Sequence, residues 1–169
     1  PVWTADGEYI AARKHFTTSR SLGTGEIWLY HASGLADTKG VPIIKKPSAS
    51  YQKELGEPVF SPDGKYLYYT QNATAGDMFI YHEDTNKQVF NIKAFNLASR
   101  ETSIVAGGRG GAVRPAPSPD GKSLAYIKRV ESVSKLHIKA LDSGIDTVVV
   151  NDLDPDLQET WGITGLYPN

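Results

Sequence analysis

A single motif that returns at a fixed interval constrains this chain more than any other feature. Residues 1–15 read PVWTADGEYIAARKH, residues 58–72 read PVFSPDGKYLYYTQN, and residues 115–129 read PAPSPDGKSLAYIKR. Pro1, Pro58 and Pro115 open the three copies, 57 residues apart each time. A fourth copy would open at position 172, just past the last residue. Self-similarity at a period of tens of residues belongs to arrays and propellers, in which each supersecondary unit buries its apolar face on the next. The copies divide the chain into residues 1–57, 58–114 and 115–169.

Each copy can be read as four strands. Pro58-Val59-Phe60-Ser61 is a short apolar strand whose proline is tolerated at its first residue. Ser61-Pro62-Asp63-Gly64 then supplies turn chemistry: proline presets φ, aspartate bonds nearby backbone, and glycine takes the left-handed conformation. Ser118-Pro119-Asp120-Gly121 repeats it, and Thr4-Ala5-Asp6-Gly7 keeps the Asp-Gly pair without the proline. β-rich runs follow at Lys65–Thr70 and Ser123–Ile127, completing a hairpin. Third strands are predicted at Glu26–Tyr30, Val89–Phe95 and Leu136–Leu141, and fourth strands near Val41–Ile44, Thr102–Val105 and Thr147–Val150. Helical periodicity is absent. Four antiparallel strands per copy make a propeller blade, so the fold class is all-β with three such blades. The period exceeds the usual ~40–50 residues of a blade. The surplus falls in polar stretches at Thr17–Gly25, Ser33–Gly40 and Asn72–Gln88, the last with a small hairpin expected around Met78–Tyr81.

Propellers close with typically 4–8 blades. Three blades therefore make a partial propeller, and two completions are open: the native chain continues, or two copies form a homodimer with a six-bladed ring. Continuation is the favoured expectation, because the chain opens on Pro1 instead of methionine and stops just before a fourth motif.

Composition narrows the function classes. Eighteen basic and nineteen acidic side chains give a net charge of −1, without the basic footprint that nucleic acid or an anionic membrane surface demands. The absence of cysteine rules out disulfides, a thiol nucleophile and cysteine-ligated metal sites. No apolar run approaches the ~18 residues of a membrane span, and no signal peptide is visible.

Familiar catalytic signatures are missing. Gly121-Lys122-Ser123 ends like a phosphate-binding loop, but Ala116 stands where its first glycine belongs. Gly107–Gly111 precedes a strand instead of a helix and reads as a flexible inter-blade connector. No Gly-x-Ser-x-Gly elbow occurs. His15, His31, His82 and His137 lie on separate segments. Asp152, Asp154, Asp156 and Glu159 form the densest acidic cluster, which reads as a calcium site or as a solvated loop. An EF-hand frame fails, with Leu157 at the glycine position and Ile163 at the glutamate position. Arg13, Lys14 and His15 end one second strand, Lys128 and Arg129 end another, and Arg114 stands just before an innermost strand. Such charges at one end of successive blades could ring a channel mouth and steer an anionic group. Trp3, Trp28, Tyr66, Tyr68 and Tyr69 read as blade-to-blade packing, with a sugar or peptide platform as the other reading.

The Ser-Pro-Asp-Gly-Lys-x-Leu-x-Tyr signature at Ser61–Tyr69 and Ser118–Tyr126 resembles the WD40-like repeats of TolB-type propellers. The segments Ala12–Phe16, Ser21–Tyr30, Gly110–Gly121 and Gln158–Gly162 are similar to the N-terminal propeller of bacterial exported amidohydrolases. Gly165-Leu166-Tyr167-Pro168 leads straight into another blade in that family. The resemblance implies a non-catalytic propeller exported to the periplasm or secreted, working as scaffold, substrate gate or docking surface beside a metal-dependent hydrolase. Its partners would be the rest of its own propeller and a catalytic domain. No His-x-His metal motif is present, so the resemblance assigns no cofactor to this segment and places any divalent metal in the hydrolase. Two other readings stand beside it: a stand-alone TolB-like protein-interaction module, and the propeller of a prolyl-oligopeptidase-type peptidase.

Overall fold

The computed structural model describes residues 1–17, 23–34, 39–56, 58–78, 87, 89–131 and 133–153. Among them are twelve strands and no helix. Blade 1 holds β1 (Val2–Trp3), β2 (Tyr9–Thr17), β3 (Gly23–His31) and β4 (Val41–Ile44). Blade 2 holds β5 (Val59–Phe60), β6 (Tyr66–Asn72), β7 (Phe90–Asn96) and β8 (Thr102–Ala106). Blade 3 holds β9 (Val113–Pro117), β10 (Ser123–Val130), β11 (Val133–Ala140) and β12 (Asp146–Val150). Each blade is a four-stranded antiparallel meander in chain order. The pairing of third with fourth strand slips at one equivalent place in every blade: Ile27/Trp28, Ile92/Lys93 and Leu136/His137. A bulge at this place bends the pairing and re-aims the outermost strand of each blade.

Three expectations need correction. The first-blade hairpin runs further than a loop over Thr17–Gly25 allows, because Lys14↔Glu26, His15↔Gly25 and Phe16↔Thr24 are paired. Arg114 lies inside β9 instead of before it, and does so at φ +58. The Gly107–Gly111 stretch is no free connector: Gly111 N–H donates to Gly108 O at 2.9 Å, and Gly110 O accepts Arg129 N–H at 3.1 Å. The hairpin expected at Met78–Tyr81 falls on residues of which only Met78 is described.

Strand alternation gives each blade two faces, and the repeat aims them consistently. Ala11, Ile27 and Ile44 of blade 1 meet Phe60, Leu67, Tyr69 and Phe95 of blade 2 in one core cluster. Tyr68, Ile92, Ala94 and Ala106 of blade 2 meet Leu124 and Tyr126 of blade 3 in a second. Blade 2 is covered on both sides, which is why Leu67, Tyr68, Tyr69 and Thr70 are buried consecutively. Ile27, Leu67, Ile92 and Leu124 are fully enclosed, each stabilising by roughly 1.5–3 kcal/mol. The outer faces of the stack differ: Trp3 (58% exposed) stands on blade 1, and Ile138 (39%) on blade 3.

The connector from blade 1 to blade 2 carries a fully buried lysine. Lys53 Nζ donates to Thr74 O at 2.9 Å, Ala75 O at 2.8 Å and the Thr74 hydroxyl. All three of its protons are thereby satisfied, which a buried ammonium requires. Ser48 and Ser50 hydroxyls donate to Asp77 Oδ2 at 2.6 and 2.8 Å, and these bonds hold the Asp77 carboxyl below its ordinary value. The connector is thus fastened to the end of β6.

Candidate functional site

The turn between first and second strands is built the same way three times. The Thr4, Ser61 and Ser118 hydroxyls donate to Asp6, Asp63 and Asp120, while the Tyr9, Tyr66 and Ser123 N–H groups donate back to those hydroxyls at 2.9–3.0 Å. Each carboxylate also accepts the N–H two residues on, from Glu8, Lys65 or Lys122. The hydroxyl bond first and the N–H bond second lower all three carboxyl pKa values. Gly7, Gly64 and Gly121 close the turns at φ +73, +69 and +70.

Consecutive turns frame a cleft between blades, and the described residues contain two such clefts. The first, between blades 1 and 2, encloses about 490 Å³ and is walled by Leu29, Ile43, Phe95 and Leu97, with Asp6, Asp63 and Arg100 at its mouth. The second, between blades 2 and 3, encloses about 540 Å³. Cross-strand register shows that they are the same cleft with different linings. Blade 1 presents the row Val2–Ala11–Leu29–Val41 to blade 2's row Phe60–Leu67–Phe95–Thr102. Blade 2 presents Val59–Tyr68–Ala94–Ser103 to blade 3's row Pro117–Leu124–Lys139–Asp146.

In the second cleft the small Ala94 and Ser103 leave space beside Tyr68. Tyr68 is 5% exposed, and its hydroxyl has no hydrogen-bond partner among the described residues. Burial first, then the charge of Asp63 and the neighbouring Tyr66, push the Tyr68 phenol up. Tyr66 and Tyr68 form a stacked aromatic pair, 6.4 Å apart with their rings inclined at 22°. Lys139 Nζ crosses from blade 3 to donate to Val105 O of blade 2 at 2.7 Å.

Behind that row sits a polar network. Tyr126 Oη donates to Asp146 Oδ2 at 2.6 Å, and His137 Nδ1 lies 3.1 Å from Asp146 Oδ1. The Tyr126 and His137 rings stack at 5.4 Å. Burial alone would raise the Asp146 carboxyl, but the Tyr126 hydroxyl, the His137 ring and Lys128 outweigh it and lower its pKa. Burial, then Asp146, raises the Tyr126 phenol. The network ties β12 to β10 across β11.

The strand-end charges separate by alternation. Arg13 lies 3.3 Å from His15 Nδ1 and 3.7 Å from Glu54. Lys14 points to the opposite face, 3.8 Å above the Trp28 ring. Lys128 Nζ donates to Gly107 O at 2.8 Å, Arg129 is half-buried, and Arg114 is exposed with a partner of its own. Of the acidic cluster, Asp152 has a partner, and Asp154, Asp156 and Glu159 lie outside the described residues. No group of three candidate metal ligands occurs among the described residues, and no helix long and apolar enough to cross a membrane occurs among them.

Sequence reading missed Ser103, Lys139, Lys53 and the Tyr126–His137–Asp146 network, and it read Tyr68 first as packing, with a sugar or peptide platform as the other reading. A signal existed for two of them. His137 and Lys139 sit on β11 where blade 1 carries Trp28 and Tyr30, but only known register aligns them.

No protein-family model matches the sequence, and no curated protein does. Solved structures do share the fold. A TolB-type protein of Agrobacterium tumefaciens superimposes with a TM-score of 0.59 at 14% identity, over 87% of this chain and 47% of that one. The β-propeller domain of the trilobed protease of Pyrococcus furiosus gives 0.55 at 12% identity, over 84% and 40%. A puromycin-hydrolysing peptidase of Mycobacterium tuberculosis gives 0.53 at 17% identity, over 83% and 23%. The chain thus spans less than half the length of each. Its all-β fold is that of a TolB-like β-propeller, of which it supplies three four-stranded blades.

Proposed function

We propose that this chain is a non-catalytic segment of a larger propeller in an exported, amidohydrolase-type hydrolase, acting as scaffold, substrate gate or docking surface. The observation that carries the reading is the pair of sheet faces at the ends of the stack. Trp3 on blade 1 and Ile138 on blade 3 remain exposed where the internal interfaces bury their counterparts. Further blades on both sides would cover them, as propeller architecture requires. The motif-by-motif resemblance beyond the generic turn supports the amidohydrolase type, and with it export to the periplasm or beyond. Two of the structures sharing the fold are of hydrolases, a protease and a peptidase, which supports a propeller serving a hydrolase. In this role the strand-end charges Arg13, His15, Arg114 and Arg129 would meet the neighbouring domain or an incoming anionic substrate.

The second reading is a self-contained interaction module that closes its ring with another copy. The denatured mass of the gene product in its native cell separates the two. A mass several times 18.4 kDa, with a hydrolase domain identified by peptide mapping, is the expected result. A mass near 18.4 kDa rejects the proposal and leaves the module, which would then run as a dimer on size exclusion with light scattering.

A further inference from the structure

We propose that the cleft between blades 2 and 3 is a binding site for a neutral pyranose-type saccharide. Tyr68 carries the argument. Its ring is almost wholly buried, while its hydroxyl has no partner among the described residues and lines an open cleft. The ring is covered while the hydroxyl reaches the cleft, so it offers a donor and an acceptor to a ligand there, where phenylalanine would offer neither. A ligand hydroxyl in the cleft would pair with it.

The rest of the lining specifies the ligand's chemistry. Tyr66, stacked on Tyr68 and 36% exposed, offers aromatic surface to the C–H face of a sugar ring. A sugar's hydroxyls both donate and accept. The cleft answers with the Ser103 and Tyr68 hydroxyls, the Asp63 carboxylate, and the two Lys139 protons left after its bond to Val105 O. Two carboxylates, Asp63 and Asp142, against one ammonium disfavour an anionic ligand. A peptide strand needs a free ladder edge, and the Val105 carbonyl of outer strand β8 is already taken by Lys139. The volume, about 540 Å³, falls in the ~300–1,000 Å³ range of small-molecule sites. The sister cleft serves as an internal control, since Ala11 stands where Tyr68 does and Phe95 where Lys139 does.

The site is independent of what else the propeller is attached to, so its test stands apart from the mass measurement. Calorimetric titration of the intact protein would use methyl glucoside, methyl galactoside, N-acetylglucosamine, maltose and cellobiose, with triglycine and inorganic phosphate alongside. At least one saccharide is expected to bind with a dissociation constant of about a millimolar. Tyr68→Phe, which deletes only the unpaired oxygen, should weaken it about five-fold, and Ser103→Leu, which puts a larger apolar side chain into the cleft lining, should abolish it. Unchanged thermal midpoints would show both variants folded; were Ser103→Leu to unfold, Tyr68→Phe alone would decide. The proposal is overturned if no saccharide binds up to about 50 mM, some fifty-fold above the expected constant. It is equally overturned if binding ignores Tyr68→Phe, or if triglycine or phosphate is the ligand the variants affect.

Discussion

The cleft between blades 1 and 2 and the cleft between blades 2 and 3 share a backbone and differ in what lines it. At the first, Leu29 and Ala11 face Leu67 and Phe95, and apolar packing runs up to the turn. At the second, Leu124 repeats Leu67, but Lys139 stands where Phe95 does and Tyr68 where Ala11 does. Both interfaces keep a fully buried leucine at the centre of the row. The difference lies in its neighbours. The repeat therefore dictates where a cleft forms, and single side chains in the third strand decide whether it is closed with hydrocarbon or opened to polar chemistry.

Exchanging the residues at the equivalent third-strand position tests that division most severely. Phe95 is 6% exposed and packs in the first core, so Phe95→Lys both removes that packing and buries an unpaired ammonium. A loss on the order of 3–5 kcal/mol is expected. The reverse change, Lys139→Phe, gives up one hydrogen bond to a carbonyl in a half-buried position and should cost about 1 kcal/mol. Urea unfolding of both variants measures the asymmetry. Equal losses would mean that the two clefts are packed alike and that the polar lining of the second is incidental.

The Tyr126–Asp146–His137 network belongs to the second interface only, and it should give that interface its own acid sensitivity. The Asp146 carboxyl is held below its ordinary value in the folded state. A depressed carboxyl contributes stability above its unfolded pKa and loses it as pH falls through the folded pKa. The loss therefore belongs below about pH 4. Asp6, Asp63 and Asp120 are lowered too and add the same trend to every turn. Asp146→Asn should flatten part of the acid slope while leaving the turn contribution, and Tyr126→Phe should cost about 1–2 kcal/mol at neutral pH. Thermal midpoints from pH 7 down to pH 3 record both. An Asp146→Asn protein whose acid slope matches the parent would remove Asp146 from the account.

These contrasts also show where sequence reading succeeds. The blade order and the turn glycines were legible because Ser-Pro-Asp-Gly is a local signal: hydroxyl, carboxylate and φ-permissive residue act within five positions. The opposition of Phe95 and Lys139 was not legible. The segment between second and third strands differs in length in each copy, so the third strands align only once pairing with Leu67 and Leu124 is known. Lys53 was hidden for a related reason, since a lysine in a polar connector signals solvent until Thr74 and Ala75 are seen to surround it. Lys14 was legible in principle, because strand alternation alone sends it away from Arg13 and His15. Arg114 was not, as nothing in Val113-Arg114-Pro115 announces a strand three residues longer at its start than its counterparts β1 and β5.

The smallest expected effect is one that should not distinguish the clefts at all. Gly64 lines the first and Gly121 the second, and an added Cβ would find only Ala5 Cβ at 3.9 Å or Pro62 Cδ at 3.8 Å. Space is thus available at both, and the penalty for Gly64→Val or Gly121→Val is the strain of a β-branched residue at φ near +70°. That strain is worth about 1–2 kcal/mol, or roughly 2–8 °C in thermal midpoint for a chain of this size. Because the turn is closed by its own hydroxyl, carboxylate and backbone, the two variants should lose the same amount despite the different linings around them. Unequal losses would show that the cleft lining reaches into the turn, and unchanged midpoints for both would show that the positive φ is not required. Equal losses would set the boundary between what the repeat enforces and what each blade is free to change at the turn's last residue.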